Sequence, residues 1–237
     1  MSDAILTRCV EAETLDHLRE DDPRAIRSRR DLRRINRIMG NIRIVDSLLN
    51  RSLSHPPLRI AELGAGDGSL LLRLAKRRAR SWPDVTLTLV DRQNLLSAAM
   101  RAAFADLGWT VHAAAMDVFA WLERKDHPRY DAIVANLFVH HFEAEALSRL
   151  FRAIAQITDC FVACEPRRAR VALLGSHLVG AVGANAVTRR DAVLSVRAGF
   201  RDRELSACWP SNGEWHTSET DARLFSHTFA AVRRARA

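Results

Sequence analysis

The sequence has 237 residues, of which 48% are hydrophobic and 27% are charged. This length and composition support one sizeable core, are short for two ordinary domains, and exclude a disordered chain. No run approaches the roughly 18 apolar residues of a membrane-spanning helix. The N-terminus lacks the basic and apolar regions of a signal peptide. We therefore expect a cytoplasmic protein without a membrane span.

The formal net charge is +8. A basic surface can bind nucleic acid, but this charge is almost all arginine, because Lys76 and Lys125 are the only lysines, and it is spread along the chain. We therefore do not expect nucleic acid as the partner. The four cysteines form no CxxC pair of the kind that zinc sites use, and we expect Cys160 and Cys164 to be buried.

The first part of the chain predicts helices. Apolar residues recur there at near-helical spacing, Gly40 interrupts them, and His55-Pro56-Pro57 ends the helical region because paired prolines exclude helix. We expect one compact protein with an N-terminal helical cap over residues 1–57 and a core over residues 58–237.

From residue 58, short apolar runs alternate with helical stretches. The predicted strands are 58–63, 85–90, 110–115, 130–136 and 160–164, and the predicted helices between them are 67–80, 95–107 and 143–157. This alternation predicts a parallel sheet with right-handed crossovers and helices on both faces.

The last third departs from this alternation. It predicts a helix over 168–182 and a second helix that opens at a capping box, Thr188-Arg-Arg-Asp191, and ends before Gly199. Strands at 203–209 and about 224–232, joined by a polar connection, favour an antiparallel pair. The fold class is therefore α/β, with a doubly wound, mostly parallel seven-stranded sheet and a late antiparallel strand pair.

A glycine-rich segment joins the first predicted strand to the first predicted helix of the core. Residues 62–68 read Glu-Leu-Gly-Ala-Gly-Asp-Gly. Glycines let the backbone turn tightly and approach a ligand, and the free N–H groups of the next helix face the same place. A dinucleotide site would use G-x-G-x-x-G. Here the third glycine comes one residue early and Ser69 stands where that pattern has glycine.

This segment resembles the first motif of class I S-adenosylmethionine (SAM)-dependent methyltransferases, E/D-x-G-x-G-x-G. Further matches follow in order at strand ends: Val90-Asp-Arg92, Met116-Asp-Val118 and the run 136–142, which reads Asn-Leu-Phe-Val-His-His-Phe. The resemblance covers roughly residues 58–165. It implies the Rossmann-like methyltransferase fold and SAM as the cofactor.

The resemblance also implies which residues bind that cofactor. Asp91, at the tip of the second strand, can accept hydrogen bonds from the ribose hydroxyls, or it caps the next helix. Asp117 would accept from the adenine amine, or cap a short helix, and Glu62 would hold the methionine ammonium group. The predicted cofactor contacts are Glu62, Gly64, Ala65, Gly66, Asp67, Gly68, Asp91, Arg92, Met116, Asp117, Val118 and Asn136.

Two adjacent histidines follow the fourth strand and are the candidate catalytic residues. A histidine near its ordinary pKa can accept a proton from a phenol or alcohol at pH 7. Because consecutive side chains point apart, we expect one in the site and one structural, with His141 slightly favoured over His140; the alternative is that both are structural. No metal is predicted, since two adjacent histidines make a poor set of metal ligands.

The acceptor is predicted to be a small molecule. No proline follows Asn136, unlike in many methyltransferases acting on amino groups of nucleic acids, and the segment resembles enzymes of quinone and polyketide pathways. Residues 30–40 resemble enzymes of bacterial type III polyketide clusters, which indicates secondary metabolism. Ile35, Met39 and Phe138 would contact the acceptor, although an ordinary amphipathic helix explains the first two equally well.

The predicted reaction is O-methylation of a phenolic, polyketide-like or quinone-like compound, with C-methylation as a close second. An RNA or protein methyltransferase using the basic surface and a non-catalytic SAM-binding protein remain open as alternatives. The sequence predicts no oligomeric state.

Overall fold

A seven-stranded sheet forms the centre of the protein in the computed structural model, which describes residues 7–234. The strands are β1 (Arg59–Leu63), β2 (Thr86–Asp91), β3 (Thr110–Ala115), β4 (Ala132–Asn136), β5 (Cys160–Pro166), β6 (Trp215–Ala222) and β7 (Ser226–Arg233). Their order is β3-β2-β1-β4-β5-β7-β6. The first five strands are parallel and β7 pairs antiparallel with both β5 and β6. This confirms the predicted Rossmann-like methyltransferase fold.

Helices alternate with the parallel strands. They are α1 (Pro23–Met39), α2 (Asn41–Ser52), α3 (Ser69–Arg78), α4 (Ala98–Ala105), α5 (Val118–Leu122), α6 (Ala144–Ile157), α7 (Arg170–Leu178), α8 (Ala186–Ala198) and α9 (Glu204–Cys208). Gly40 ends α1 in the left-handed region, with φ 74°, which confirms the predicted break. No helix within residues 7–234 is long and apolar enough to cross a membrane.

The sheet separates two hydrophobic clusters because neighbouring residues of a strand point to opposite faces. Ile60 of β1 belongs to the cluster beneath α2, α3 and α4, whereas Ala61 belongs to the cluster beneath α5, α6 and α9. Val45 and Leu49 of α2 are fully buried in the first cluster. Helix α2 is therefore part of the core layer, while α1 buries only three of its residues. The division at residue 57 stays a prediction.

The late antiparallel pair exists, and β7 lies close to the predicted strand 224–232, but the predicted position of the first strand of the pair was wrong. Residues 203–209 contain helix α9 instead of a strand, and the predicted connection 210–221 contains most of strand β6. Its sequence, Trp-His-Thr-Ser-Glu-Thr-Asp-Ala, reads as a polar loop because β6 is an edge strand that pairs only with β7. A tight turn at Arg223, with φ 62°, joins the two strands.

The predicted capping box of α8 was also wrong. The helix begins at Ala186, and the side chain of Asn185 caps it by accepting a hydrogen bond from the Thr188 amide at 2.8 Å. Thr188 and Asp191 lie inside the helix and are buried. The carboxylate of Asp191 accepts hydrogen bonds from the N-terminal segment, as described below.

Candidate active site

A cavity of about 660 Å³ opens at the carboxyl ends of β1, β2 and β4, the edge where open α/β sheets bind ligands. Of the predicted cofactor residues, Glu62, Gly64, Ala65, Gly66, Asp67, Asp91, Arg92, Met116, Asp117, Val118 and Asn136 line it. Gly68 does not: a Cβ there would lie 2.6 Å from Leu89 Cδ1, so this glycine serves the packing of the loop on the sheet. The volume lies within the range of small-molecule and cofactor sites.

The glycine loop lies against the turn after β4. Gly64 has φ 65°, and a Cβ at this position would lie 2.3 Å from Cδ2 of Phe138. Glycine is therefore required at residue 64 both by the backbone conformation and by the close approach of a ring. Phe138 itself lines the cavity, as predicted for an acceptor contact.

Asp91 braces the glycine loop from the end of β2. Its carboxylate accepts a hydrogen bond from the Gly66 amide at 2.9 Å and another from the Gln93 amide at 3.0 Å. The carboxylate thus fixes two loops that line the cavity. The next residue, Arg92, lies 3.6 Å from the carboxylate of Asp16.

Glu62 is a buried carboxyl group with an unused acceptor. Its side chain is almost fully buried, and Oε2 has no hydrogen-bond partner. Burial, with the nearby charges of Asp67 and Asp91, raises the pKa of Glu62 well above its ordinary value. A positively charged ligand group in the cavity would reverse this penalty. The acidic side of the cavity therefore fits a cationic cofactor such as SAM.

Asp67 and Asp117 both have structural partners. Asp67 accepts from the Ser69 amide at 3.1 Å and from Arg33 at 2.8 Å. Asp117 caps α5 by accepting from the Phe119 amide at 2.8 Å. The capping role considered for Asp117 is thus present, and its contact with adenine stays a prediction. Met116 and Val118 flank it at the cavity wall.

Asn136 is fixed by an asparagine that the sequence did not single out. Its Oδ1 accepts a hydrogen bond from Nδ2 of Asn41 at 3.0 Å. Asn41 is fully buried at the start of α2 and its own Oδ1 has no partner. Helix α2 thus holds the side chain of Asn136 at the cavity wall.

His140 is buried between two carboxylates. Its Nδ1 lies 2.7 Å from Oε2 of Glu165, and since a carboxylate only accepts, Nδ1 donates. Its Nε2 lies 3.4 Å from Oε1 of Glu13. Burial alone would lower the pKa of His140, but the hydrogen bonds to Glu13 and Glu165 raise it to about 9. His140 is therefore the structural member of the pair, charged at neutral pH.

His141 faces the cavity and is neutral at pH 7. Burial, reinforced by the charge of His140, lowers the pKa of His141 to about 4. Its ring lies between two carboxylates, with Nε2 3.6 Å from Glu13 and Nδ1 3.5 Å from Asp16. Of the two histidines, His141 is the one in a protonation state to accept a proton.

Glu165 anchors the histidine turn and was not predicted as a site residue. It is fully buried and accepts hydrogen bonds from the amides of Phe138, Val139 and His140 at 3.0–3.4 Å. These bonds hold a turn whose first residue, Leu137, has a strained φ of 53°.

The N-terminal segment was also missed, because it carries no motif. Its residues Val10, Glu11, Ala12, Glu13, Leu15, Asp16 and His17 line the cavity. Ile35 and Met39, the predicted acceptor contacts on α1, are half-buried and lie outside the cavity lining; α1 presents Arg29, Leu32, Arg33 and Asn36 instead.

Glu13 brings a third potential metal ligand to the two histidines. Ligand atoms of Glu13, His140 and His141 all lie within 4.8 Å of one another, the one such group found among residues 7–234. The prediction of no metal considered the two adjacent histidines alone, and the fold adds the carboxylate of Glu13 to them. The absence of a metal stays a prediction.

Comparison with known proteins finds a match to one protein family. A family model described as a methyltransferase domain matches residues 60–159. Comparison with proteins of curated function finds no match.

Three solved structures illustrate the fold. The plantazolicin methyltransferase BamL, in complex with a triazolic desmethylPZN analogue and SAH, is 13% identical, with a TM-score of 0.67 over 93% of each chain. A candidate O-methyltransferase from Nostoc punctiforme PCC 73102 is 13% identical, with a TM-score of 0.60 over 97% of this chain; the chain spans only 66% of that protein. Magnesium protoporphyrin IX methyltransferase from Synechocystis PCC 6803, with bound SAH, is 14% identical, with a TM-score of 0.52 over 93% of this chain and 91% of that one.

Proposed function

We propose that this chain, whose residues 60–159 match a methyltransferase-domain model, is a class I SAM-dependent methyltransferase that methylates an oxygen of a small phenolic, polyketide-like or quinone-like acceptor. The observation that carries the proposal is one cavity with two chemically different sides. Buried and half-buried carboxylates surround the glycine loop on one side, and the neutral ring of His141 lies on the other.

The acidic side binds the cofactor. Asp91 accepts from the ribose hydroxyls, Met116 and Asp117 flank the adenine, and Glu62 holds the methionine ammonium group. The unpartnered oxygen of Glu62 supports this orientation, because the carboxylate gains a cationic partner only when such a ligand is present. When bound, SAM supplies an activated methyl group.

The histidine side prepares the acceptor. The protein first positions the acceptor oxygen in line with the transferred methyl group, which supplies most of the rate. His141 then accepts the hydroxyl proton, a step that contributes about 10²- to 10⁴-fold. The carboxylates of Glu13 and Asp16 stabilise the imidazolium that forms. His140 is a positioning residue, since its nitrogens face Glu165 and Glu13.

The acceptor is aromatic and of modest size. Phe138 and Phe142 pack edge to face at the cavity wall, with ring centroids 5.2 Å apart, and Leu32 lies in the lining of the same cavity. Aromatic walls favour a flat ring. Solved structures of similar fold include enzymes named for plantazolicin and for magnesium protoporphyrin IX, which supports a small-molecule acceptor. A cytoplasmic location and a role in secondary metabolism stay predictions from the sequence.

The test is methyl transfer from labelled SAM to a panel of phenols, quinols and total RNA. We expect labelling of a phenol or quinol, and a His141→Gln variant with kcat lowered about 10²- to 10⁴-fold. SAM affinity, measured by calorimetry, should stay unchanged in that variant. Labelling of RNA alone, or a His141→Gln variant that methylates phenols at the wild-type rate, would overturn the proposal.

A further inference from the structure

The N-terminal segment of residues 8–18, called the strap here, forms part of the cavity wall. It runs from α8 to the loop after β2. At one end the amide of Cys9 donates to the carbonyl of Arg197 at 3.2 Å. At the other end the carbonyl of Leu18 accepts from Nε2 of Gln93 at 3.1 Å. A ligand in the cavity therefore lies between the strap and the sheet.

Polar contacts, and not buried side chains, hold the strap. No residue from 8 to 18 is fully buried. Asp191 of α8 accepts from the amides of Thr14 and Leu15 at 2.9 and 3.0 Å, and Arg8 donates to the carbonyls of Ala198 and His140 at 2.7 and 2.8 Å. Segments with few buried apolar contacts open at low free energy. The strap can therefore detach while the core stays folded.

The strap supplies both carboxylates that face His141. Glu13 and Asp16 are strap residues, and they lie 3.6 and 3.5 Å from the two ring nitrogens. Glu13 also accepts a hydrogen bond from Ser195 of α8. When the strap detaches, the ring loses both carboxylates and becomes exposed to water.

The strap also reaches the cofactor side of the cavity. Asp16 lies 3.6 Å from Arg92, and Gln93, which holds Leu18, donates its amide to Asp91. Asp91 is the residue proposed to bind the ribose. The same short segment thus touches the proposed ribose site and the proposed base.

We propose that the strap is a lid that closes on the bound cofactor and, in closing, delivers Glu13 and Asp16 as positioning residues for His141. The base is thus assembled only in the closed, cofactor-bound state. The role of His141 in this inference rests on the proposed function, whereas the closure itself does not. A ligand that contacts only the closed state stabilises that state by its own binding free energy.

The first test is amide hydrogen exchange of the full chain with and without saturating SAH. In the wild type we expect the Thr14 and Leu15 amides to exchange about 10- to 100-fold more slowly when SAH is present at 100 times its Kd. Asp191→Asn should lose much of this protection. Asp21→Asn is the matched control, because Asp21 pairs only with Arg19 outside the strap and should behave as the wild type.

A second variant keeps the test decisive if Asp191→Asn fails to fold. Thr14→Pro removes one strap donor directly, and the φ of Thr14, −62°, suits proline. It should also lose protection at Leu15 while the amides of β5 stay protected. If calorimetry shows that SAH binds and the strap amides exchange equally fast with and without it, the lid is wrong, whatever the acceptor proves to be.

The pKa values of His140 and His141 provide a measurement that would not change if the strap were merely structural. The groups that face them are Glu13, Asp16, Arg92 and Glu165. Opening the strap in Asp191→Asn should raise the pKa of His141 towards its ordinary value of 6.5, because burial is the main cause of the lowering. Glu13→Gln should instead lower the pKa of His140, because a charged hydrogen-bond partner is lost.

Ring proton resonances followed by NMR from pH 4 to 10 measure both shifts without any acceptor. Equal titration of His141 in the wild type and in Asp191→Asn would overturn the inference. So would a stoichiometric transition metal that the wild type retains and Glu13→Gln loses, because Glu13 and the two rings would then be ligands and not a base with its positioning groups.

Discussion

Two regions of the protein contain the same chemical unit, a buried histidine between two carboxylates. At the cavity, His140 lies between Glu165 and Glu13. In the β6–β7 hairpin, His227 lies between Glu219 and Asp221. Its Nε2 lies 2.8 Å from Oε1 of Glu219, and its Nδ1 lies 2.9 Å from Oδ1 of Asp221. Both histidines have raised pKa values despite burial.

The two units differ in where their carboxylates come from. Glu219 and Asp221 lie on the strand that pairs with His227, and Glu219 also accepts from the amides of Leu205 and Ser206. The partners of His227 and Glu219 thus lie within the hairpin or at α9. In the cavity unit, Glu13 comes from the strap, 127 residues away. A buried histidine–carboxylate pair therefore does not by itself indicate catalysis; the cavity and a detachable partner do.

The largest expected effect is that of Glu165→Gln. Glu165 is fully buried and holds three backbone amides and the His140 ring. Losing its charge leaves the buried His140 ring with the more distant Glu13 as its remaining anion, which we expect to lower the free energy of unfolding by about 3–5 kcal/mol. Denaturant unfolding measures this change. SAM affinity should also fall about tenfold or more, because the turn that packs against Gly64 loosens.

Glu219→Gln tests the matching residue of the hairpin. Glu219 is also buried and holds two amides and a histidine, so we expect a loss of about 3 kcal/mol in the free energy of unfolding. SAM affinity should stay within about twofold of the wild type, since no hairpin residue lines the cavity. A large loss of SAM affinity in this variant would contradict the separation of the two units.

The sequence predicts the parallel half of this fold well because its signals are local. Strand β3 lies at the predicted residues, and the glycine loop, Asp91 and Asp117 line the cavity as expected. Each of these residues sits next to a strand end that periodicity already locates. The first strand of the late pair was mispredicted for the opposite reason: β6 is a polar edge strand, and its pairing with β7 is what identifies it as a strand.

The histidine environment could not be predicted, because its partners are distant in sequence. Glu165 is 25 residues from His140 and Glu13 is 127 residues away. No local pattern links these positions, so the protonation states of His140 and His141 follow only from the fold. The carboxylate that joins the two histidines as a potential metal ligand could not be predicted for the same reason, since Glu13 is 127 residues from His140.

The pH dependence of stability sharpens the comparison further. The pKa of His140 is about 9 in the folded protein against 6.5 ordinarily. Its contribution to stability is therefore fully present below pH 6.5 and is lost as pH rises through 9. The loss amounts to about 3 kcal/mol. Unfolding free energies at pH 6 and pH 9.5 measure it, and His140→Gln should flatten the change.

His227→Gln is the control for that experiment. The pKa of His227 is also raised, so its contribution is lost in the same direction as pH rises. Each single variant should remove part of the slope, and the double variant should remove more than either. If His140→Gln alone leaves the slope intact, the charged state assigned to His140 is wrong.

The smallest expected effect is that of the outer carboxylate of the hairpin. Asp221 is 40% exposed and pairs with Arg167 as well as His227. Solvent screens exposed pairs, so Asp221→Asn should lower the free energy of unfolding by less than about 1 kcal/mol. Glu13→Gln should cost similarly little, because the strap is not part of the core. The two substitutions should differ in activity, because only Glu13→Gln should slow methyl transfer. Equal rates of methyl transfer in both variants would contradict the distinction between a structural and a catalytic unit.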